Sequence, residues 1–528
     1  MTTPDISPVS ARPAKTRRLS PFRVIVAAVV TIAVLAGGTI FAQSWWAEAT
    51  TTTAKPWFAG YVDVTATPSY AFEVPANKAA RDVVLSFVVA DTDDACTPSW
   101  GSYYSLDEAA TSLDLDRRVA RLEQQGGEAI VSFGGQANNE LATTCTDATA
   151  LKSAYTTVID RYNLTTIDLD LEGEALTGDS AERRATAIAA VQAKQEAAGK
   201  SLAVWLTLPV TPAGLTTDGT DAVAAFLAAG VDVTGVNVMT MDYGDSRGDL
   251  SMLDATTDAL DSLHRQLGIL YDNAGTTLTD STLWTKIGAT PMIGQNDVVG
   301  EIFTLADAKA LNAWAADKKL ARMSMWSMNR DATCGPNYAD VTRVSDACSG
   351  VEQDGVSFAS VLGNKMTGLP EAGATTETTS EPVTPEADVV DDPATSPYPI
   401  WNENTTYLAK TKIVWHQNVY EAKWWTKGDL PDNPVLDAYQ ASWTLIGPVL
   451  PGETPAPVIE IPADTYAEWA GDAVYEKGDR IMYAGLAFEA KWWTQGDSPE
   501  AVSSDPDSSP WAALTDAQIT EVISGKIG

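Results

Sequence analysis

The stretch Thr165-Thr-Ile-Asp-Leu-Asp-Leu-Glu172 alternates Ile167, Leu169 and Leu171 with Asp168, Asp170 and Glu172. Successive side chains on a β-strand point to opposite faces, so three aliphatics lie on one side and three carboxyls on the other. In a closed barrel the aliphatics would pack beneath helices and the acids would point inward. Glu172 would then stand nearest the C-terminal mouth, where such barrels carry their sites. Acids stacked in this way cannot all ionise freely. Burial and mutual repulsion raise at least one pKa, which is what a general acid needs near neutral pH. By itself the strand also fits a metal-binding acidic edge or a solvent-exposed strand.

Working outward, short β-rich runs recur at Trp57–Val64, Val83–Val89, Ala129–Phe133, Thr166–Leu171, Leu202–Leu208, Val236–Met241, Lys286–Ile293 and Arg322–Ser327. Between several of them lie alanine-rich stretches of helical periodicity, such as Ala181–Ala198 and Thr220–Ala229. Eight strands separated by crossovers predict an α/β fold, a (β/α)8 TIM-type barrel over residues 56–366. A doubly wound open sheet is the alternative.

Composition narrows the chemistry. The 528 residues carry 70 acidic against 35 basic side chains, a net charge of −35, which argues against nucleic acid or anionic lipid as partner. The two histidines, His264 and His416, are far apart, which disfavours a histidine-built zinc site, and neither sits in a nucleophile motif. Carboxylate chemistry without metal or cofactor is the expectation. Nothing in the sequence calls for an oligomer, so a monomer is expected.

The N-terminal 1–23 is polar and basic, and Val24 to Ala42 is free of charge and ends near Trp45-Trp46. About 19 apolar residues suffice to cross a bilayer, and the basic flank would stay inside. Residues 24–46 thus read as a transmembrane anchor, with a cleaved signal peptide ending near Ala47-Glu-Ala49 as the rival. Either reading places the remainder outside the cell.

Residues 367–397, rich in Pro, Thr and Glu, read as a linker, as does the Pro-rich 448–465. The segments 398–447 and 466–514 repeat each other at a constant offset of 68 residues. Tyr398 falls on Tyr466, Trp401 on Trp469, Tyr407 on Tyr475, Trp443 on Trp511, and Glu421-Ala-Lys-Trp-Trp-Thr426 on Glu489-Ala-Lys-Trp-Trp-Thr494. Such register marks a duplicated small all-β module.

The acid strand resembles the Asp-x-x-Asp-x-Asp-x-Glu signature of glycoside hydrolase family 18, the chitinase family. Its last three acids match Asp168, Asp170 and Glu172, while Thr165 and Thr166 stand where the first acid and glycine would be. Ser132-Phe-Gly-Gly135 resembles the family's Ser-x-Gly-Gly, which implies a substrate-binding place for Ser132, although Ser132 also reads as filler of a core turn. Met239-Thr-Met-Asp-Tyr-Gly244 resembles its Met-x-Tyr-Asp, with Met241 in the tyrosine position. Met323-Ser-Met-Trp-Ser327 resembles the last strand, whose tryptophan floors the sugar subsite.

The resemblance implies a retaining, substrate-assisted chitinase with Glu172 as acid and base. It implies that Asp170 steadies the acetamido group, Asp168 tunes Asp170, and Tyr243 with Asp242 holds the acetamido oxygen. Trp326 would lie under the sugar. In the proposed fold Cys96 pairs with Cys145 and Cys334 with Cys348; four unpaired buried thiols are the alternative. Ala-Lys-Trp-Trp-Thr-x-Gly-Asp at 422–429 and 490–497 resembles chitin-binding modules of carbohydrate-binding families 5 and 12. Flat aromatic rings stack on pyranose faces, which nominates Trp424, Trp425, Trp492 and Trp493, with one tryptophan of each pair packing into the core as the alternative, then Tyr407 and Tyr475. The partner implied is chitin or chitooligosaccharides. A non-catalytic chitin-binding protein and an endo-β-N-acetylglucosaminidase acting on glycoprotein glycans are the alternatives.

Overall fold

The structure is a computed structural model that describes residues 55–336, 338, 343–370, 391–432, 441–455, 461–500 and 508–524. The basic tail 1–23, the apolar segment 24–46 and most of the first linker lie outside the described residues. Among the described residues no helix is long and apolar enough to cross a membrane.

Eight parallel strands form the catalytic-type barrel. The first runs as Trp57–Phe58 and Gly60–Asp63, and is followed by Val83–Ala90, Ala129–Gly134, Thr166–Asp170, Ala203–Thr211, Val233–Met239, Ile287–Thr290 and Arg322–Met323. Each pairs in parallel with the next. The ring closes through the first strand: Trp57–Phe58 pairs with Arg322–Met323, and Gly60–Asp63 pairs with Val83–Ala90. This is the expected barrel rather than the open sheet.

Helices cover the outside. Met252–Asn273 shows why they form: Ser251 caps its first turn by accepting from the Asp254 amide, and Met252, Ala255, Ala259, Leu263 and Leu267 repeat at helical spacing toward the core. Ile167, Leu169 and Leu171 meet such helices from the sheet side and are fully buried. The first crossover is the exception, with only a single 3-10 turn at Lys78–Ala80.

The barrel interior has two storeys. Below, Trp57, Tyr61, Val84, Ile130 and Trp205 form an aromatic and aliphatic plug. Above it lies a polar belt, where Asn237 Nδ2 donates to Thr207 Oγ1 (3.0 Å) and to Thr290 Oγ1 (2.7 Å). Both expected disulfides are present, Cys96–Cys145 and Cys334–Cys348.

Beyond the barrel, two small β units carry the repeat. The antiparallel sheet Lys412–Trp415, Asn418–Ala422 and Trp443–Pro448 has its counterpart in Arg480–Tyr483, Leu486–Ala490 and Trp511–Ala513. Trp443 and Trp511 fill equivalent cores, each donating its indole N–H over 2.9 Å to the carbonyl of Asp429 or Asp497. Tyr407 and Tyr475 pack edge-on against these tryptophans at 5.2 and 5.1 Å. Tyr407 is a core residue, which removes it from the sugar-binding candidates, whereas Tyr475 is half-buried against its core.

Candidate active site

The fourth strand ends regularly at Asp170, and Glu172 follows in extended conformation as the cap of the 3-10 turn Gly173–Leu176. Asp168 and Asp170 are buried, and Glu172 is half-buried at the mouth. The neighbouring Glu174 lies on the turn and is exposed.

Asp168 is held from four sides. Its Oδ2 accepts from Tyr61 Oη and Ser132 Oγ, both at 2.8 Å, and its Oδ1 from Thr207 Oγ1 at 2.7 Å and Arg322 Nη1 at 2.5 Å. The Arg322 guanidinium also lies over the rings of Trp57, Tyr61 and Trp205 at 5.3 to 5.7 Å. The lowest of the three acids is therefore charge-paired inside the barrel.

Asp170 differs. Its Oδ1 is buried and has no hydrogen-bond partner among the described residues. Burial raises its pKa well above the usual carboxylate range, and the nearby charges of Glu172 and Asp168 raise it further. Burial, with the charge of Asp242, pushes Glu172 up to about 7. A hydrogen bond between the Asp170 and Glu172 carboxyls acts in opposite senses, holding the proton more firmly on Asp170. The two titrate as a pair.

The cleft above is lined by Tyr61, Phe87, Asp170, Glu172, Met241, Asp242 and Trp326, with Gln136 and Asp297 at its edge. Trp326 stacks on Phe87 with ring centres 5.5 Å apart. The end of the third strand requires its glycines: Gly134 has φ +107 and a Cβ there would stand 2.0 Å from the Asp170 carbonyl. Gly135 lies against the Phe87 ring in the same way.

Three expectations need correction. Tyr243 does not reach the cleft. The sixth strand stops at Met239, Asp242 takes a left-handed φ of 50°, and the alternation that would align 243 with 241 is lost. The Tyr243 ring is buried and its hydroxyl faces Thr256 Oγ1 at 3.3 Å, on a covering helix. Ser132 is fully buried on Asp168, so it supports the acid and is closed to substrate. Trp425 packs on the second β unit, 5.7 Å from the ring of Tyr483, whereas Trp424, Trp492 and Trp493 are exposed.

Other residues were missed. Arg322 was legible, because the period of two that turns Trp326 inward also turns Arg322 inward. Tyr61 follows the same rule from Trp57. Glu301 gave no local signal. Its buried carboxylate accepts from the amides of Tyr243 (3.0 Å) and Gly244 (2.9 Å), and so fixes the loop carrying Asp242. On the other side, the Val298 amide donates to Asp242 Oδ1 at 2.9 Å.

Known proteins resemble this chain in two regions. A probable bifunctional chitinase/lysozyme of Escherichia coli K12 is 35% identical over 292 residues, 53% of this chain and 32% of that protein. Endochitinase 11 of Metarhizium anisopliae is 34% identical over 284 residues, 52% of each chain. The chain thus spans 32% and 52% of these relatives' length. The catalytic domain of a hyperthermophilic chitinase from Pyrococcus furiosus is 29% identical, with a TM-score of 0.51, over 59% of this chain and 97% of that domain. The profile of carbohydrate-binding module family 5/12 matches residues 468–512. Residues 468–512 thus form a family 5/12 carbohydrate-binding module, and the closed barrel with its acid strand is similar to the catalytic domains of these chitinases.

Proposed function

We propose that the chain is a secreted or surface-held chitinase that cleaves β-1,4 bonds between N-acetylglucosamine units with retention of configuration. The observation that carries this reading is the carboxyl pair Asp170–Glu172. One member is raised to about 7 at the mouth, and the other is buried with a free oxygen beneath it.

In this reading Glu172 protonates the glycosidic oxygen. The substrate's acetamido carbonyl attacks the anomeric carbon as that bond breaks, giving an oxazolinium ion. The acetamido N–H donates to the carboxyl of Asp170, whose ionised form balances the positive charge. Glu172 then takes a proton from water as the water opens the ring. Asp168, neutralised by Arg322, sets the position and field of Asp170. Trp326 offers a face to the sugar, and Met241 and Asp242 close the acetamido side in place of Tyr243. No step calls for a metal.

The second β unit, and by its repeat the first, are proposed to face chitin, with Trp424, Trp492 and Trp493 as exposed aromatic contacts. Two disulfides fit an oxidising compartment outside the cytosol.

The test is Glu172→Gln, which keeps the shape and removes the titratable proton. Hydrolysis of chitooligosaccharides should fall by about 10³-fold or more while oligosaccharide binding persists. Unchanged turnover would remove Glu172 from the reaction. Parallel assays on a high-mannose glycoprotein test glycan cleavage as the alternative activity.

A further inference from the structure

The two β units share one sequence pattern but present it to different surroundings. In the second, Arg480 pairs within its own sheet, 2.9 Å from its cross-strand neighbour Glu489. In the first, Lys412 stands at the equivalent place, opposite Glu421, yet its ammonium lies 2.7 Å from both carboxylate oxygens of Asp114 on the barrel. Glu453, just after the last strand of the first unit, pairs with the buried Arg117 of the barrel helix Leu115–Gln124 at 2.5 Å. Arg121 of that helix donates to the Leu445 carbonyl.

A second contact of the first unit differs too. Trp425 lies against Tyr483 at 5.7 Å and Phe488 at 6.5 Å, and Leu408 joins it on the core of the second unit. Its counterpart Trp493 is 55% exposed, and the adjacent Trp492 is 43% exposed. Charged groups toward the barrel and an aromatic toward the second unit thus hold the first unit to both neighbours.

We propose that the first unit is a coupling piece. It fastens the second unit to the barrel, and Trp492 and Trp493 of the second unit form the main polysaccharide-facing surface. The division of labour rests on the chitin-binding reading above; the coupling itself does not. A fixed platform differs in kind from two modules on free tethers, whose gain comes from effective concentration alone.

Full-chain variants separate the two parts. Trp425→Ala and, from the other side of the contact, Tyr483→Ser are expected to raise the radius of gyration in X-ray scattering. Trp425→Ala should retain binding to insoluble chitin within about threefold. Lys412→Glu, facing Asp114, should loosen the chain in the same way. The double variant Trp492→Ala/Trp493→Ala should keep its shape and lose chitin retention about tenfold or more. Unchanged dimensions in Trp425→Ala and Tyr483→Ser overturn the coupling role. Loss of retention in Trp425→Ala as deep as in the double variant overturns the division of labour. Full retention in the double variant refutes the platform and leaves the scattering result to decide the coupling.

Discussion

Arg322 Nη1 lies 2.5 Å from Asp168 Oδ1, and neither side chain reaches solvent. The pair joins the fourth and eighth strands across the barrel interior. Its attraction offsets the cost of burying each charge, and removal of one partner leaves the other uncompensated. Arg322→Met should therefore destabilise by about 3–5 kcal/mol. The double variant Arg322→Met/Asp168→Asn should recover part of that loss. Urea unfolding of the two variants beside the parent measures both, and a double variant no better than the single would contradict the pairing argument.

The pH dependence follows from Glu172. Its carboxyl must hold the proton to act as acid, and burial with the Asp242 charge pushes it up to about 7. Activity should therefore decline as pH rises through about 7. The Asp242→Asn change removes a negative neighbour and makes ionisation of Glu172 easier. Its alkaline limb should move to lower pH, whatever happens to the maximal rate. A profile of kcat/KM against pH for both proteins is the measurement, and an upward shift would reverse the assigned sign.

The same shift bears on stability. Glu172 titrates from its ordinary 4.5 in the unfolded chain and at about 7 in the folded one, so the folded state binds its proton more tightly. Its unfavourable contribution is absent below about pH 4.5, grows between there and 7, and is complete above. Glu172→Gln removes it. The variant should match the parent near pH 4.5 and exceed it by about 2 kcal/mol at pH 8, a discounted value because the carboxyl is partly solvated. Thermal melts at the two pH values are sufficient.

Tyr243→Phe tests the corrected sixth-strand turn. The hydroxyl faces Thr256 rather than the cleft, so kcat and KM should each change less than about threefold, with a stability loss of about 1 kcal/mol for the lost buried bond. A selective fall in kcat would place the hydroxyl back in the reaction.

The reasons for that misplacement show how far the chain was readable. Period-two alternation carried the fourth strand correctly, because Ile167, Leu169 and Leu171 must bury and the acids must then point inward. The same rule exposed Trp326 and would have exposed Arg322. It failed after Met239, where the backbone leaves the strand and enters a left-handed residue at Asp242. Alternation carries no information once the backbone leaves the extended conformation, as it does at Asp242. Nor could it reveal Trp425, whose partners Tyr483 and Phe488 belong to the next unit. The 68-residue repeat aligns Trp425 with Trp493 and is silent on which neighbour each one meets.

Glu301 provides the remaining test, since it lies on the loop after the seventh strand and serves the loop after the sixth. Its carboxylate receives the Tyr243 and Gly244 amides and lies 3.4 Å from Arg247 Nε. Alanine at this position leaves two buried amides without an acceptor, and the Asp242 loop loses its clamp. Misplacement of a reacting-site group by about 1 Å can cost about 10²-fold in rate. The expected signature of Glu301→Ala is a kcat fall of about 10- to 100-fold with a smaller change in KM. Glu301 does not line the cleft, and its charge bears on Asp242, so the alkaline limb set by Glu172 should move only through the position and charge of Asp242. Glu301→Gln keeps one carbonyl acceptor and should restore part of the rate. If alanine and glutamine lose equal activity and both melt far below the parent, the residue holds up the fold at large and the positioning role falls.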